Sequence, residues 1–406
     1  MAMCAFQNAR KECEVIMREK NLIENYKKYY NASASDLFSS SGRIELLGNH
    51  TDHNHGRVLV GAVNLDLLAA VAKTDDDTII VYSEGYSETK VSLNDLTRNE
   101  AEFGNNIALV KGCVVKLKEL GYKVGGFKAY VNSILPAGSG ISSSAAYECL
   151  IVEILNYYYN NDSIPRFDIV RCAQFAESIY FGKPCGLLDQ CGVAFGGINK
   201  IDFSDISNPK VTHLEFNFKD YSLLLINTGG SHSNLTDEYA AIPKEMKEVA
   251  NFFGKEFLNE VDEDVFYSNI KELRNKVSDR ALLRAVHFFN ENKIVDLGFN
   301  ALLNNDTKKF LHEITESGLS SYRYLQNTCV RGSLSQNINV GLAMAEHYIH
   351  DGAYRVHGGG FEGTVLCFVN NNELETVKNN LGNVFGDKNI HKINIRTEGS
   401  YHIKNV

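Results

Sequence analysis

Proline occurs only five times in the 406 residues, and no low-complexity tract interrupts the chain, which sets aside a disordered or linker-dominated protein. A surplus of positive charge is also missing: 41 Lys and Arg against 50 Asp and Glu leave a net charge of −9. Such a chain has no general attraction for nucleic acid or for an anionic membrane, so any phosphate site must be local. No window reaches the unbroken apolar length that a bilayer demands, and Met1 to Asn31 is too rich in Lys and Glu for a signal peptide or a membrane span. That segment reads as one or two amphipathic helices. The nine cysteines are odd in number and lack the paired spacings of a zinc site or a secreted disulfide framework, which predicts a reducing, cytoplasmic setting.

What is present is an ordinary globular composition, 44% apolar and 22% charged, over a length that predicts two domains or one large elaborated domain. Strand patterns run from Arg43 to about Tyr82, with Arg57 to Val63 and Thr78 to Tyr82 flanking the Asp75-Asp76-Asp77 turn. Ile107, Val110, Val114 and Leu117 fall at helical spacing, and Phe127 to Val131 alternates as a strand. A softer boundary near Ile201 to Tyr221 precedes the buried-strand run Leu223 to Ile226. It divides the chain into residues 1–205 and 206–406. Helical patterns fill Ala240 to Asn327, and a βα-like unit closes the chain around the glycines at 358–360 and the strand Thr364 to Val369. Separate strand and helix stretches predict an α+β fold.

Leu135-Pro-Ala-Gly-Ser-Gly-Ile-Ser-Ser-Ser-Ala-Ala146 joins the strand at 127–131 to a helix carrying Ala146, Leu150, Ile154 and Tyr157 on one face. Glycines let a backbone approach an anion, and exposed amides at a helix start favour negative charge. The serines add donors and a candidate Mg²⁺ ligand. The plainer alternative is a serine-capped helix after a glycine turn. The loop is neither a Walker A motif nor a dinucleotide fingerprint.

Two further segments are dense in polar groups. Ser41-Gly-Arg-Ile-Glu-Leu-Leu-Gly-Asn-His-Thr-Asp-His-Asn-His-Gly56 carries an arginine, acids and three histidines. Its His50-Thr-Asp52-His53 run allows a metal-hydrolase reading, although the usual cluster would need a histidine at Gly48. Ala176-Glu-Ser-Ile-Tyr-Phe-Gly-Lys-Pro-Cys-Gly-Leu-Leu-Asp-Gln-Cys-Gly192 sets Asp189 in apolar, Gly-flanked surroundings, a costly position for a carboxylate that does no work. Asp189 is therefore the candidate base.

Taken together these segments resemble the GHMP superfamily of sugar and isoprenoid kinases, and the galactokinase signature within it. The phosphate loop matches the family's Pro…Gly-Leu-Ser-Ser-Ser-Ala-Ala with Ile141 for Leu. Residues 41–56 resemble Gly-Arg-Val-Asn-Leu-Ile-Gly-Glu-His-Thr-Asp-Tyr, and 176–192 are similar to Ala-Glu-His…Pro-Cys-Gly-Ile-Met-Asp-Gln. Arg355-Val-His-Gly-Gly-Gly-Phe-Glu-Gly-Thr364 resembles the third, glycine-rich motif, which would fold against the phosphate loop. The resemblance implies a two-domain α+β molecule with its active site in the cleft between the domains, and transfer of a phosphoryl group from ATP to the anomeric hydroxyl of a sugar. It implies Asp189 as base and Arg43 as charge stabiliser. Gly138, Ser139, Gly140, Ile141, Ser142, Ser143 and Ser144 would surround the phosphates, with Ser83 near the adenine. Ser144 and Glu177 would hold Mg²⁺, and Asn49, His50, Asp52, Gly186 and Tyr239 would meet the sugar. A small sugar and ATP are then the binding partners, with no nucleic acid, membrane or obligate protein partner indicated.

Several positions depart from the family pattern. Asn49 stands where galactokinases carry the Glu that meets the sugar C6 hydroxyl, Glu45 stands where they carry Asn, and His53 replaces Tyr. The chain lacks tryptophan, so Asn106 occupies the place where many relatives put one near the base pocket. Galactose is the first expectation and galacturonate the second, with arabinose and N-acetylgalactosamine further options. A catalytically silent sugar sensor is a competing class, disfavoured because Arg43, Ser144, Glu177 and Asp189 are all present.

Overall fold

The computed structural model describes residues 2–136, 140–230 and 235–406. A single helix, α1 (Ala2–Tyr30), leads into β1 (Asp36–Leu47) and its antiparallel neighbour β2 (Arg57–Lys73). The triple-aspartate turn then gives β3 (Thr78–Ser83) and β4 (Thr89–Ser92), followed by α2 (Asn106–Glu119) and β5 (Phe127–Ser133). Next come α3 (Ser143–Asn160), α4 (Arg166–Phe175), α5 (Leu188–Phe195), β6 (Ile198–Asp202) and β7 (Lys210–Leu214).

These strands form one sheet in the order β4, β3, β5, β2, β1, with β6 and β7 added beside β2; only the β3–β5 pairing is parallel. Every residue of β1 is buried because both faces of the sheet are covered. Leu37, Leu68, Ala70 and Tyr130 pack with Leu22 and Tyr26 of α1, whereas Phe38, Ala69, Val71, Ala129 and Val131 belong to the core shared with α2 to α5. The split follows from the two-residue alternation of side chains along a strand.

The second half opens with β8 (Tyr221–Asn227) and then turns helical: α6 (Thr236–Phe252), α7 (Glu263–Ser268), α8 (Ile270–Leu273), α9 (Asp279–Leu303), α10 (Thr307–Ser320) and α11 (Asn337–Tyr348). It ends with β9 (Gly352–His357), β10 (Thr364–Asn370), α12 (Leu374–Phe385), β11 (Ile390–Ile393) and β12 (Tyr401–Asn405). The second sheet is antiparallel, ordered β11, β8, β10, β9, while β12 returns to pair with β1. The α+β class expected from the sequence is the class observed. The strand expected at Thr364 to Val369 is β10, with α12 directly after it, and the glycines at 358–360 join β10 to β9 as an antiparallel hairpin. Its connection, residues 358–363, is too short for the crossover that a parallel arrangement needs.

Candidate active site

Arg43 points from β1 into the space where three segments distant in sequence meet. Its side chain is 5% exposed, and it donates from Nε and Nη2 to Asp189 Oδ1 at 2.9 and 2.6 Å, and from Nη1 to the Gly140 carbonyl. Asp189 lies in the first turn of α5 rather than in a loop, so the helix N-terminus adds to the field favouring its ionised form. Its second oxygen accepts from Ser142 Oγ at 2.6 Å. Burial pushes the Asp189 carboxyl up, but Arg43, the Ser142 hydroxyl and Lys183 together outweigh that and hold it below the ordinary carboxylate range.

Ser142 adopts a left-handed backbone, φ +61°, at the entry to α3. Non-glycine residues held there store strain that the surrounding structure must impose. Ser143 is exposed and begins α3, Ile141 is buried in the core with its carbonyl accepting from Arg43 N, and Gly140 faces the β9–β10 hairpin through Thr364 and His357. Gly138 and Ser139 lie outside the described residues. Ser83 ends β3 beside Val131 of β5, the strand that leads into the phosphate loop.

Ser144 Oγ donates to Glu177 Oε1 at 2.8 Å. Glu177 is fully buried on a π-helical turn, Ala176–Tyr180, that closes α4, the kind of widened turn often found where a side chain is re-aimed for function. α2 touches this turn at Gly112, where a Cβ would stand 2.6 Å from Ala176 Cα. Three residues not anticipated from the sequence complete the cluster. Lys183 Nζ donates to the same Glu177 Oε1 at 2.8 Å, Gln190 Nε2 donates to Glu177 Oε2 at 2.8 Å, and the same Gln190 nitrogen lies 3.3 Å from Glu148 Oε2. Glu148 is fully buried, its Oε1 has no hydrogen-bond partner, and burial with the neighbouring Glu177 raises it well above the carboxylate range. Its place one helical turn after Ser144 was legible as an i, i+4 pair. Lys183 carried no such signal. The Ser144 hydroxyl, the Glu177 carboxylate and the orphaned Glu148 carboxyl oxygen form a hard-oxygen donor set that fits Mg²⁺.

The loop after β1 carries His50 and Asp52. His50 Nε2 lies 3.0 Å from the Gly359 carbonyl and its Nδ1 lies 3.3 Å from His53 Nε2. Among the described residues no third His, Cys, Asp or Glu joins them in a group that could hold a metal ion, which removes the basis of the metal-hydrolase reading. Burial lowers His50 to about 4 and puts His53 well below its ordinary value, so both are neutral at pH 7. Burial, then repulsion from Asp189, raises Asp52 to about 6. Asp52 Oδ2 accepts from Leu188 N at 3.3 Å and presses so closely on Gly186 that a Cβ there would stand 1.8 Å away. Tyr239, on α6, donates to the Gly360 carbonyl at 3.0 Å and meets Phe361 edge-on.

Asn49 departs from its expected surroundings. It is fully buried, donates to Glu45 Oε1 at 2.9 Å and to the Gly358 carbonyl at 2.7 Å, and accepts from Asn327 Nδ2 at 2.8 Å and Ser321 Oγ at 3.4 Å. Both ends of the amide are thus engaged within the protein, leaving no group for a sugar hydroxyl in this arrangement. The carboxylate and amide exchanged between positions 45 and 49 remain bonded to each other, and Glu45 is paired across the molecule with Arg355 at 2.6 Å.

Two family models match the chain: the GHMP kinases N terminal domain over residues 108–197 and the galactokinase galactose-binding signature over residues 24–73. A galactokinase of Pyrococcus furiosus is 30% identical over 345 residues, covering 83% of this chain and 90% of that protein. The chain belongs to the galactokinase family. A galactokinase of Limosilactobacillus reuteri is 28% identical over 388 residues, covering 92% of this chain and 95% of its own length. The Lactococcus lactis galactokinase complexed with galactose superposes with a TM-score of 0.82 at 23% identity, covering 95% of this chain and 99% of that one. The Methanococcus jannaschii mevalonate kinase superposes with a TM-score of 0.61 at 16% identity, covering 89% and 98%. Galactokinase-family membership makes the chain a sugar kinase of the two-domain GHMP fold. Among the described residues, no helix is long and apolar enough to cross a membrane.

Proposed function

We propose that this enzyme transfers the γ-phosphoryl group of ATP to the anomeric hydroxyl of galactose. The observation that carries the reading is the Arg43–Asp189–Ser142 chain at the entry to α3, a paired carboxylate beside a helix N-terminus. Phosphoryl transfer asks the protein chiefly for positioning and charge stabilisation. The start of α3 and the loop before it receive the phosphates. Asp189 Oδ2 exchanges its Ser142 partner for the anomeric hydroxyl, orients it, and accepts its proton as the sugar oxygen bonds the γ-phosphorus and the bond from that phosphorus to the β,γ-bridging oxygen breaks, releasing ADP. Arg43 keeps Asp189 ionised and spreads the charge of the transferring group. Asp52, presented through Gly186, fixes the sugar with His50 and Tyr239, and Ser83 lies toward the adenine. Ser144 and Glu177 would hold Mg²⁺, which would supply positive charge to offset that of the phosphates.

Galacturonate, the second candidate, would add a carboxylate to a site that already holds Asp52 and Asp189, while His50 and His53 are neutral; like charges brought together oppose binding. We assign the reaction to the cytoplasm, where the described cysteines, all unpaired, remain reduced. The test is ADP release by the purified protein with Mg²⁺ and ATP against galactose, galacturonate, arabinose, N-acetylgalactosamine and glucose. Galactose is expected to give the highest kcat/KM, and turnover of another sugar with galactose inert would overturn the assignment.

A further inference from the structure

Among the described residues, Arg43 and Lys183 are the cations bonded to the acids of the proposed phosphate and metal site. Four acidic side chains, Asp52, Glu148, Glu177 and Asp189, lie within electrostatic reach of one another here. Arg43 already gives three of its five N–H groups to the protein, two to Asp189 and one to the Gly140 carbonyl. Lys183 is arranged differently. It rises from the loop between the π-helical turn and α5, its side chain is 57% exposed, and its Nζ bonds the same Glu177 oxygen that Ser144 Oγ reaches, each at 2.8 Å. The ammonium therefore lies within two hydrogen-bond lengths of the hydroxyl in the first turn of α3, and in electrostatic reach of Glu148, Asp189 and Tyr239.

We propose that Lys183 is a phosphate ligand of the nucleotide site, an ammonium that shares Glu177 with the metal and pairs with the polyphosphate of ATP. Lysine suits this task as a point charge on a flexible stem, able to swing from carboxylate to phosphate without the fixed geometry arginine requires. Transfer of the ammonium to phosphate frees a lone pair on Glu177 Oε1 for the metal, so the two cations act in sequence rather than in competition. Nucleotide and metal should then bind cooperatively, because each relieves a charge the other leaves exposed.

The inference rests on the kinase reading for the location of the phosphates, and its test does not require turnover. Calorimetric titration with the Mg²⁺ complex of a non-hydrolysable ATP analogue should show affinity about tenfold or more weaker in Lys183→Met than in wild type, and largely restored in Lys183→Arg. Lys183→Gln, which keeps a donor for Glu177, should lose the same factor and serves if the methionine variant does not fold. Mn²⁺ alone, followed by electron paramagnetic resonance, should bind more tightly to Lys183→Met, because Glu177 is relieved of its ammonium. Unchanged analogue affinity in the neutral variants overturns the proposal even if Mn²⁺ binding tightens, since Lys183 is then only a counter-ion of Glu177. A wild type that binds the analogue yet ignores galactose fails the substrate assignment instead, and leaves this comparison intact.

Discussion

Arg43 places two nitrogens on one oxygen of Asp189, at 2.9 and 2.6 Å, and leaves the other oxygen to Ser142. One half of the carboxylate is thereby fixed and charged, and the other half can exchange a hydroxyl partner. Asp189→Asn preserves shape and removes the charge. Steady-state kinetics should show kcat reduced by about 10²–10⁴-fold, the range typical of a lost general base, with affinity for the ATP analogue changed only a few-fold. Turnover near the wild-type rate would take Asp189 out of the mechanism.

Ser144 and Glu177 meet through a single oxygen, Oε1. If both serve one ion, Ser144→Ala and Glu177→Gln each raise the Mg²⁺ concentration needed for half-maximal rate. The double variant should lose much less than the two single losses combined, because groups acting as a unit are non-additive. Additive losses in a Mg²⁺ titration would show that the two residues serve different ends.

The Glu45–Asn49 bond turns a question of sugar choice into one of stability. Asn49→Glu would set a second buried carboxylate against Glu45 and the Gly358 carbonyl, and Glu45→Asn would strip Arg355 of its carboxylate partner; each should cost about 3–5 kcal/mol in urea unfolding. Exchanging both should recover at least about 1 kcal/mol relative to the sum, within the coupling measured for contacting residues. A double variant no better than that sum would mean that the exchanged pair does not compensate.

His50 gives a pH signature. Its folded pKa, about 4, lies below the ordinary 6.5, so between those values the unfolded chain binds more protons. Stability therefore falls as pH drops through that window. By pH 5 this single group should remove about 2 kcal/mol relative to pH 7. Asp52, raised to about 6, acts with the opposite sign over part of the same range. His50→Gln should therefore lose about 2 kcal/mol less than wild type on going from pH 7 to pH 5 in urea denaturation. Equal losses in the two proteins would show that His50 is not held neutral by the fold.

The α+β class, most of the site segments and the family resemblance were legible in the chain itself, because strand alternation, helical spacing and glycine-serine clusters are local patterns. Gly140 to Ser144 announce an anion-binding helix start by adjacency alone, and Asp189 draws notice as an acid among apolar neighbours. What the chain order could not express was pairing across long separations. The bonds from Arg43 to Asp189 and from Arg355 to Glu45 join residues 146 and 310 positions apart. Lys183 shows the same limit in a local form: a lysine beside a glycine and a proline reads as a solvated charge, and only the π-helical turn that buries Glu177 gives it a partner. Asn49 shows the reverse, a residue whose place in the motif suggested contact with substrate until the approach of Asn327 and the residue 358–363 connection enclosed it. Local pattern determines which elements form, because it acts through backbone geometry and burial of one face. Which polar groups remain open to a ligand depends on what packs against them, and that is decided only when the two sheets and the helices between them come together.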